Sequence, residues 1–481
     1  MHVLTNAEKL IPRRDAASLA ESRKLAGIRI VTGTTSPFTR YERISVSPAS
    51  CSIRSEYVIA FYTFKLQYKC NNSTPAWEQR KFGDCFEFLK SNTLSRAGLN
   101  GENGTARNVH YGDILIKFGD CLDGERSDLP FITDDTVLPK FAGSILREGD
   151  VIFADTAEDE AAGKCVELRK LPKEPTISGL HTIPARPRFF FGTGYLGHYL
   201  NSDAYHRQLL PLMQGIKVIS VSKAALQDTQ VRFPGLSEQA AIGAALSEID
   251  NLITLHQRKY DKLVIFKKSM LEKMFPKDGE SVPEIRFAGF TDPWEQRKLE
   301  DIANRVTRKN EGESDLPLTI SSQYGLVDQR TFFNNQVASK DMSGYYLLRK
   351  GEFAYNKSTS GDSPWGAVKR LVRYEKGCVS TLYICFGLDG ADPDFLVTYY
   401  ETDRWYKAVQ MIAAEGARNH GLLNIAPNDF FDTALILPPS REEQELIGLF
   451  FARLDNLITL HQRKLELLQN IKKSLLDKMF V

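Results

Sequence analysis

The sequence predicts an α+β protein made of two tandem cassettes, each a globular α/β block followed by one long helix. Three observations carry that expectation. The ten residues DNLITLHQRK occur unchanged at Asp250 to Lys259 and at Asp455 to Lys464, an offset of about 205 that also aligns "KKSMLEKMF" with "KKSLLDKMF". A second repeat, "WEQRK", opens at Trp77 and again at Trp294. Both long segments carry a sustained heptad of apolar residues, the pattern of helices that pair.

In chain order the expected organisation is an N-terminal extension (1–72), a first globular block (73–235), a first long helix (236–280), a second block (281–438) and a second long helix (439–481). The extension has no counterpart in the repeat. The first block then opens on "WEQRKF", and its "LREGDVIFA" (Leu146 to Ala154) resembles "LRKGEFAYN" (Leu348 to Asn356) in the second, each a turn before an apolar strand. Further on, "YLGHYLNSDAYH" faces "FLVTYYETDRWY", each the start of an aromatic amphipathic helix. The segments "QGIKVISVSKAAL" and "EGARNHGLLNIAPNDF" then face each other as a glycine-containing loop with Lys217 or Arg418 before a short strand. The blocks are expected to share a fold and differ in surface.

In the first long segment the inward series is Leu246, Ile249, Ile253, His256, Tyr260, Leu263, Lys267, Met270 and Met274. The second gives Phe451, Leu454, Ile458, His461, Leu465, Leu468, Lys472, Leu475 and Met479, with polar breaks at the same two places. Helix starts are marked by Pro234 and by Pro439-Ser440, with Glu443 in capping-box spacing. At 1.5 Å per residue, roughly 39 residues span about 58 Å, a spacer's length. His256, His461, Lys267 and Lys472 could in principle be a metal or catalytic set. Isolated polar residues in an apolar seam more often fix register or reach out to water, and that reading is preferred.

Composition narrows the function. A net charge of +2 over 481 residues gives no strongly basic footprint, so any nucleic-acid surface is local. The seven cysteines include no C-x-x-C pair, and their odd number argues against a disulfide framework and for a reducing, cytoplasmic setting. The apolar run "YVIAFYTF" is too short to span a membrane. "FFFGTGYLG" contains G-x-G-x-x-G at Gly192, Gly194 and Gly197. No acidic residue closes the next strand where a ribose partner belongs, and Asp392, Asp394 and Val397 replace the glycines in the second cassette, so no cofactor site is expected. No phosphate loop and no amine-methylation motif is present, and the chain is read as no enzyme by itself.

The "WEQRK" openings, the "P-x-x-x-E-Q" before each long helix, "DNLITLHQRK" and the terminal "KKSLLDKMF" resemble the specificity subunits of type I restriction-modification systems, from about Thr74 to Val481. The resemblance implies two target-recognition domains alternating with two spacer helices. It implies helices packed antiparallel about an internal pseudo-twofold axis, with the series Leu246, Ile249, Ile253, Leu263, Met270, Leu454, Ile458, Leu465, Leu468 and Leu475 pairing them. It further implies that the chain binds double-stranded DNA at a bipartite asymmetric site, one half per domain. Its implied partners are two modification subunits, which methylate adenine N6 with S-adenosylmethionine, and two restriction subunits, which translocate and cleave with ATP and Mg. On that reading this chain binds no cofactor itself. Base readers would be Lys117, Asp120 and Lys217 in the first domain. In the second they would be Ser321, Ser322, Gln323 and Tyr324, then Asn356 and Lys357, then Arg418 and Asn419. The rival reading is a helical scaffold holding two protein-binding domains apart.

Overall fold

The computed structural model describes residues 76–480 except 126–127, 322–323, 334–338, 340, 362 and 414–420. It is mixed helix and sheet, dominated by two long helices, Leu236–Lys273 and Arg441–Met479. The chain divides into two compact units, and each is described by itself. One contains 76–258 together with 462–480, the other 259–461, so both boundaries fall inside the DNLITLHQRK repeat. Each unit therefore holds one globular block, the first half of the helix that follows it and the last half of the other long helix.

In the first unit, strands run in the order Phe86–Phe88, Thr182–Pro187, Val151–Ala154, Cys165–Arg169 and Cys121–Asp123, with the last pair parallel. In the second, Ala303–Arg305, Ile384–Leu388, Phe353–Asn356 and Ala367–Arg370 form the same antiparallel arrangement without a fifth strand. The shared "LR-x-G-D/E" segment explains part of this likeness. Gly149 and Gly351 adopt φ of 86° and 94°, which glycine reaches without a Cβ penalty. The acid that follows, Asp150 or Glu352, caps the turn by accepting from the amide of Arg147 or Arg349 at 2.8 and 2.7 Å. Each acid is also held by an arginine, Arg186 or Arg308.

The WEQRK repeats become strands. Glu78–Lys81 pairs with Gln230–Phe233, and Glu295–Lys298 with Ala434–Leu437, so each lead-in is laced to the strand that feeds its long helix. The tryptophans anchor the KMF ends of the helices: Trp77 meets Phe480 at 6.3 Å, and Trp294 meets Phe275 at 5.7 Å. Tyr195 and Tyr199 complete the first aromatic nest, Phe395 and Tyr399 the second.

Every residue of both predicted inward series is buried or half-buried. Leu246, Ile249, Ile253 and Leu475 join the first unit's core, and Leu263, Met270, Phe451 and Leu454 the second's. The expected capping box at Ser440 forms only by half. Ser440 Oγ accepts from Glu443 N at 3.4 Å, but the buried Glu443 carboxylate turns away to Arg286 at 2.6 and 2.8 Å, a charge-assisted pair stronger than the backbone contact it forgoes. The five cysteines among the described residues are free thiols. No helix among those residues is long and apolar enough to cross a membrane.

Candidate functional site

Both lysines that interrupt the heptads are ion-paired in the structure. Lys472 Nζ lies 2.5 Å from Asp250 and 2.7 Å from Asp120. Lys267 Nζ lies 2.5 Å from Asp455 and 2.6 Å from Glu401. Asp250 and Asp455 are the first residues of the two DNLITLHQRK copies, and each pairs with a lysine from the other copy's helix. Both lysines are thus held by carboxylates rather than extended into water.

The first clamp has a fourth member. His198 is fully buried, with Nε2 at 2.9 Å from Asp250 and Nδ1 at 2.5 Å from the carbonyl of Gly194. Both ring nitrogens thus face acceptors. Burial pushes the His198 pKa down, but the bond to Asp250 and the neighbouring Cys121 and Asp120 outweigh it and hold it up at about 10. Asp120, His198 and Asp250 lie close enough to share a metal ion. The Lys472 ammonium already bridges the two carboxylates, so the arrangement is complete without one. In the second clamp Thr398 stands at the place of His198, and two carboxylates share one lysine. Burial, then repulsion from Glu401, raises the Asp455 pKa against the pull of Lys267. Asp250 moves the other way, since its bonds to His198 and Lys472 overcome burial.

The G-x-G-x-x-G run sits beside this clamp, and each glycine has a packing cause. A Cβ on Gly192 would lie 2.6 Å from the backbone of Ala240, and one on Gly197 would lie 2.2 Å from the Asp120 carbonyl. Gly194 takes φ of 83°. The amides of Gly194 and Gly197 bind the buried Glu167 at 2.6 and 2.9 Å. These two amides are therefore taken up by a side chain of the protein itself. A cleft of about 1030 Å³ opens nearby with Arg169 and Arg186 in its wall, but these already bind Ser247 and Asp150.

At another edge of each block, the exposed loops gather. In the second unit, Leu423 N donates to Lys357 O at 2.9 Å and Thr359 N to Gly421 O at 2.7 Å. The Asn356 to Ser360 loop is thereby fastened to the segment that follows Arg418 and Asn419. Asn356 accepts from Ser358 N, and Lys357 Nζ reaches the Ile425 carbonyl at 3.3 Å. Tyr324 is half-exposed, with the Arg373 guanidinium 5.8 Å from its ring centre, and buried Ser321 accepts from its amide. Ser322, Gln323, Arg418 and Asn419 lie outside the described residues.

The first unit repeats this frame with other side chains. Val221 N donates to Asp155 O at 2.8 Å, the counterpart of the Leu423–Lys357 bond. Lys217 is exposed on the turn closed by Gln214 and Ser220. Lys117 is half-exposed and 3.3 Å from Asp113. Asp120 is not at this edge, because its carboxylate is taken up by Lys472 and Asn201 in the clamp. The sequence reading missed Tyr111, Asp155 and His181. His181 Nδ1 lies 3.3 Å from Asp155, and the Tyr111 ring meets the imidazole edge-on at 5.3 Å. No local pattern marks them, since the three residues are brought together from separate segments.

Comparison with known proteins gives two kinds of likeness. No protein-family profile matches the chain. A type I restriction enzyme specificity subunit, MjaX, of Methanocaldococcus jannaschii is 24% identical over 156 residues, 31% of this chain and 36% of that relative. The match thus spans about a third of the relative's length. The crystal structure of the S subunit of a type-I restriction-modification system from M. genitalium shares the fold with TM-score 0.50 at 13% identity, covering 86% of this chain and 98% of that one. An HsdS subunit from Thermoanaerobacter tengcongensis gives TM-score 0.39 at 16% identity over 86% of this chain and 98% of that chain. The chain resembles type I specificity subunits in sequence and in fold.

Proposed function

We propose that this chain is the DNA-reading specificity subunit of a type I restriction-modification complex. Each globular domain reads one half of a bipartite asymmetric site, and the two long helices, running antiparallel as a coiled coil with pseudo-twofold symmetry, set the distance between the halves. The observation that carries this reading is a shared frame with different edges. The two blocks repeat four strands in the same order and corresponding backbone bonds, while the loops at that edge carry Tyr111, Asp155 and Lys217 in one and Tyr324 and Lys357 in the other. Two readers of different sequences require that combination, because base discrimination rests on loop side chains and positioning on the frame.

The reciprocal lysine clamps support the antiparallel helices, since each takes its aspartate from one repeat and its lysine from the other, as an isologous contact does. The same reading assigns methyl transfer to two modification subunits that bring S-adenosylmethionine, and cleavage to two restriction subunits that use ATP and Mg. This chain supplies neither reaction. Candidate base contacts are Lys117, Lys217, Tyr324, Asn356 and Lys357 with Ser322, Gln323, Arg418 and Asn419. Asp120 leaves that set, and so does Ser321, which is buried with its hydroxyl accepting from Tyr324 N.

The test is binding of the full chain to random duplex DNA across a salt series. Neutralising phosphates gives a linear fall of log affinity with log salt, whereas a scaffold for two protein-binding domains gives no binding at any salt. Arg418→Ala is expected to weaken cognate binding by about 1 to 3 kcal/mol if its side chain meets a base edge. Equal affinity of both proteins for the cognate duplex removes Arg418 from the site.

A further inference from the structure

His181 stands out at the loop edge of the first unit. Its backbone is in the left-handed region at φ 53°, where a residue with a Cβ is strained. Glycine would avoid that cost. The turn is nonetheless locked, because Thr182 Oγ1 donates to the Gly179 carbonyl at 2.5 Å and Asp155 N donates to the His181 carbonyl at 3.1 Å. The imidazole that this strained turn presents is about half exposed, at 48%. It is also oriented: Nδ1 points to the Asp155 carboxylate at 3.3 Å, Tyr111 lies against the ring edge, and Thr156 Oγ1 donates to the same Asp155 oxygen at 2.7 Å. Nδ1 is the ring nitrogen beside Asp155, which leaves Nε2 as the atom offered to a ligand.

The second unit shows what the frame looks like with another side chain. Ile183 pairs with Phe153, and Ile384 with Tyr355. Two residues before the first partner stands His181, and two before its counterpart stands Leu382, which is 56% exposed. Two residues after Phe153 stands Asp155, and two after Tyr355 stands Lys357. The positions are equivalent, and an acid–histidine pair in one unit is replaced by a lysine and an apolar side chain in the other.

We propose that His181, oriented by Asp155 and Tyr111, is a specificity-determining residue of the first domain, its Nε2 lone pair accepting from the exocyclic amino group of an adenine or cytosine in the major groove. This rests on the DNA-reading function proposed above. Asp155 is a positioning residue in this scheme.

The experiment is selection of the full chain on duplexes with randomised half-sites, comparing wild type, His181→Gly and Asp155→Asn. Glycine relieves the strained φ, so the first variant keeps the fold while removing the imidazole. It is expected to lose about tenfold or more of its discrimination at one base pair of one half-site, with affinity for random DNA within about twofold of wild type. Asp155→Asn no longer demands the proton on Nδ1, and is expected to shift the preference at that same base pair toward bases presenting an acceptor. A merely structural role would not move base preference. The inference is overturned if both variants select the same bases as stringently as wild type, or if they lose affinity equally for all sequences. Wild-type protein that binds DNA without any sequence preference would overturn the proposed function and this inference with it.

Discussion

The two lysine clamps do the same mechanical job with different electrostatics. In the first unit Lys472 and His198 face Asp120 and Asp250, two cations against two carboxylates. In the second, Lys267 faces Asp455 and Glu401 with no histidine in the cluster. The aspartate and the lysine of each clamp come from the repeat, while the second carboxylate comes from different places: a loop before a strand for Asp120, the end of an aromatic helix for Glu401. The repeat therefore specifies the pair, and each block supplies its own counter-charge. Removing one partner of a fully buried pair costs about 3 to 5 kcal/mol, and solvent screening lowers that cost where a carboxylate is partly exposed.

That difference predicts unequal losses. Lys267→Met strands two carboxylates with no cation of the clamp beside them, and is expected to destabilise its unit by about 1 to 3 kcal/mol, since Asp455 is 45% exposed and solvent screens it. Lys472→Met leaves His198 opposite Asp250 and costs less. Hydrogen exchange resolves the units separately, and equal loss of protection in both would erase the distinction drawn here.

A position in the glycine run sharpens the contrast. Gly197 has no space for a side chain, since a Cβ there would meet the Asp120 carbonyl at 2.2 Å, whereas its counterpart in the second unit is Val397. Gly197→Ala is expected to cost about 1 to 3 kcal/mol through displaced backbone. Gly243 and Gly448 occupy equivalent places on the two long helices, and a Cβ added at either would meet backbone at 2.3 and 2.6 Å, so Gly243→Ala and Gly448→Ala are expected to cost alike. A thermal melt of each variant checks the ranking; Gly197→Ala melting with wild type would leave the run without a packing cause.

The sequence made the helices legible because periodicity is a local property. Both inward series are buried or half-buried, and the lead-in tryptophans announced a repeat whose strands pair as repeats should. What stayed hidden is what depends on distant partners. Asp120 reads as a loop acid suited to a groove edge until it is seen to bind Lys472, 352 residues away. Glu443 sits in capping-box spacing, yet nothing in that spacing reveals Arg286. His181 carries no motif, since neither its left-handed φ nor its neighbour Asp155 is written in adjacent residues.

Alkaline pH separates the clamps next. The folded-state pKa of His198 is raised to about 10 from its ordinary value near 6.5. The sign follows from the extra proton bound in the folded state: this stabilisation is complete below the unfolded value and is lost as pH rises through about 10. Lys267 is likewise raised, with burial outweighed by Glu401 and Asp455, but from a lysine's higher starting value, so its clamp holds further into alkali. Between neutrality and pH about 10 the first unit is expected to lose exchange protection before the second. In His198→Gln that pH dependence should flatten, and a first unit that still loosens on the same curve would place the titrating group elsewhere.

The smallest difference lies at the helix starts. Ser440 caps the second long helix through Glu443 N, and the equivalent place before the first helix is Gly235, whose carbonyl alone receives Glu238 N and Gln239 N. A Cβ at Gly235 would meet nothing within 4 Å, so a side chain fits there. Serine in place of glycine at such a position is worth a few tenths of a kcal/mol, because its hydroxyl satisfies one of the free amides of the first turn. Ser440→Gly should therefore lower stability slightly and Gly235→Ser raise it by a similar amount, in opposite units. The double variant should melt close to wild type. If Gly235→Ser is neutral while Ser440→Gly destabilises by more than about 1 kcal/mol, Ser440 holds something beyond the helix end, and its hydroxyl bond to Glu442 at 2.9 Å is the contact to remove next.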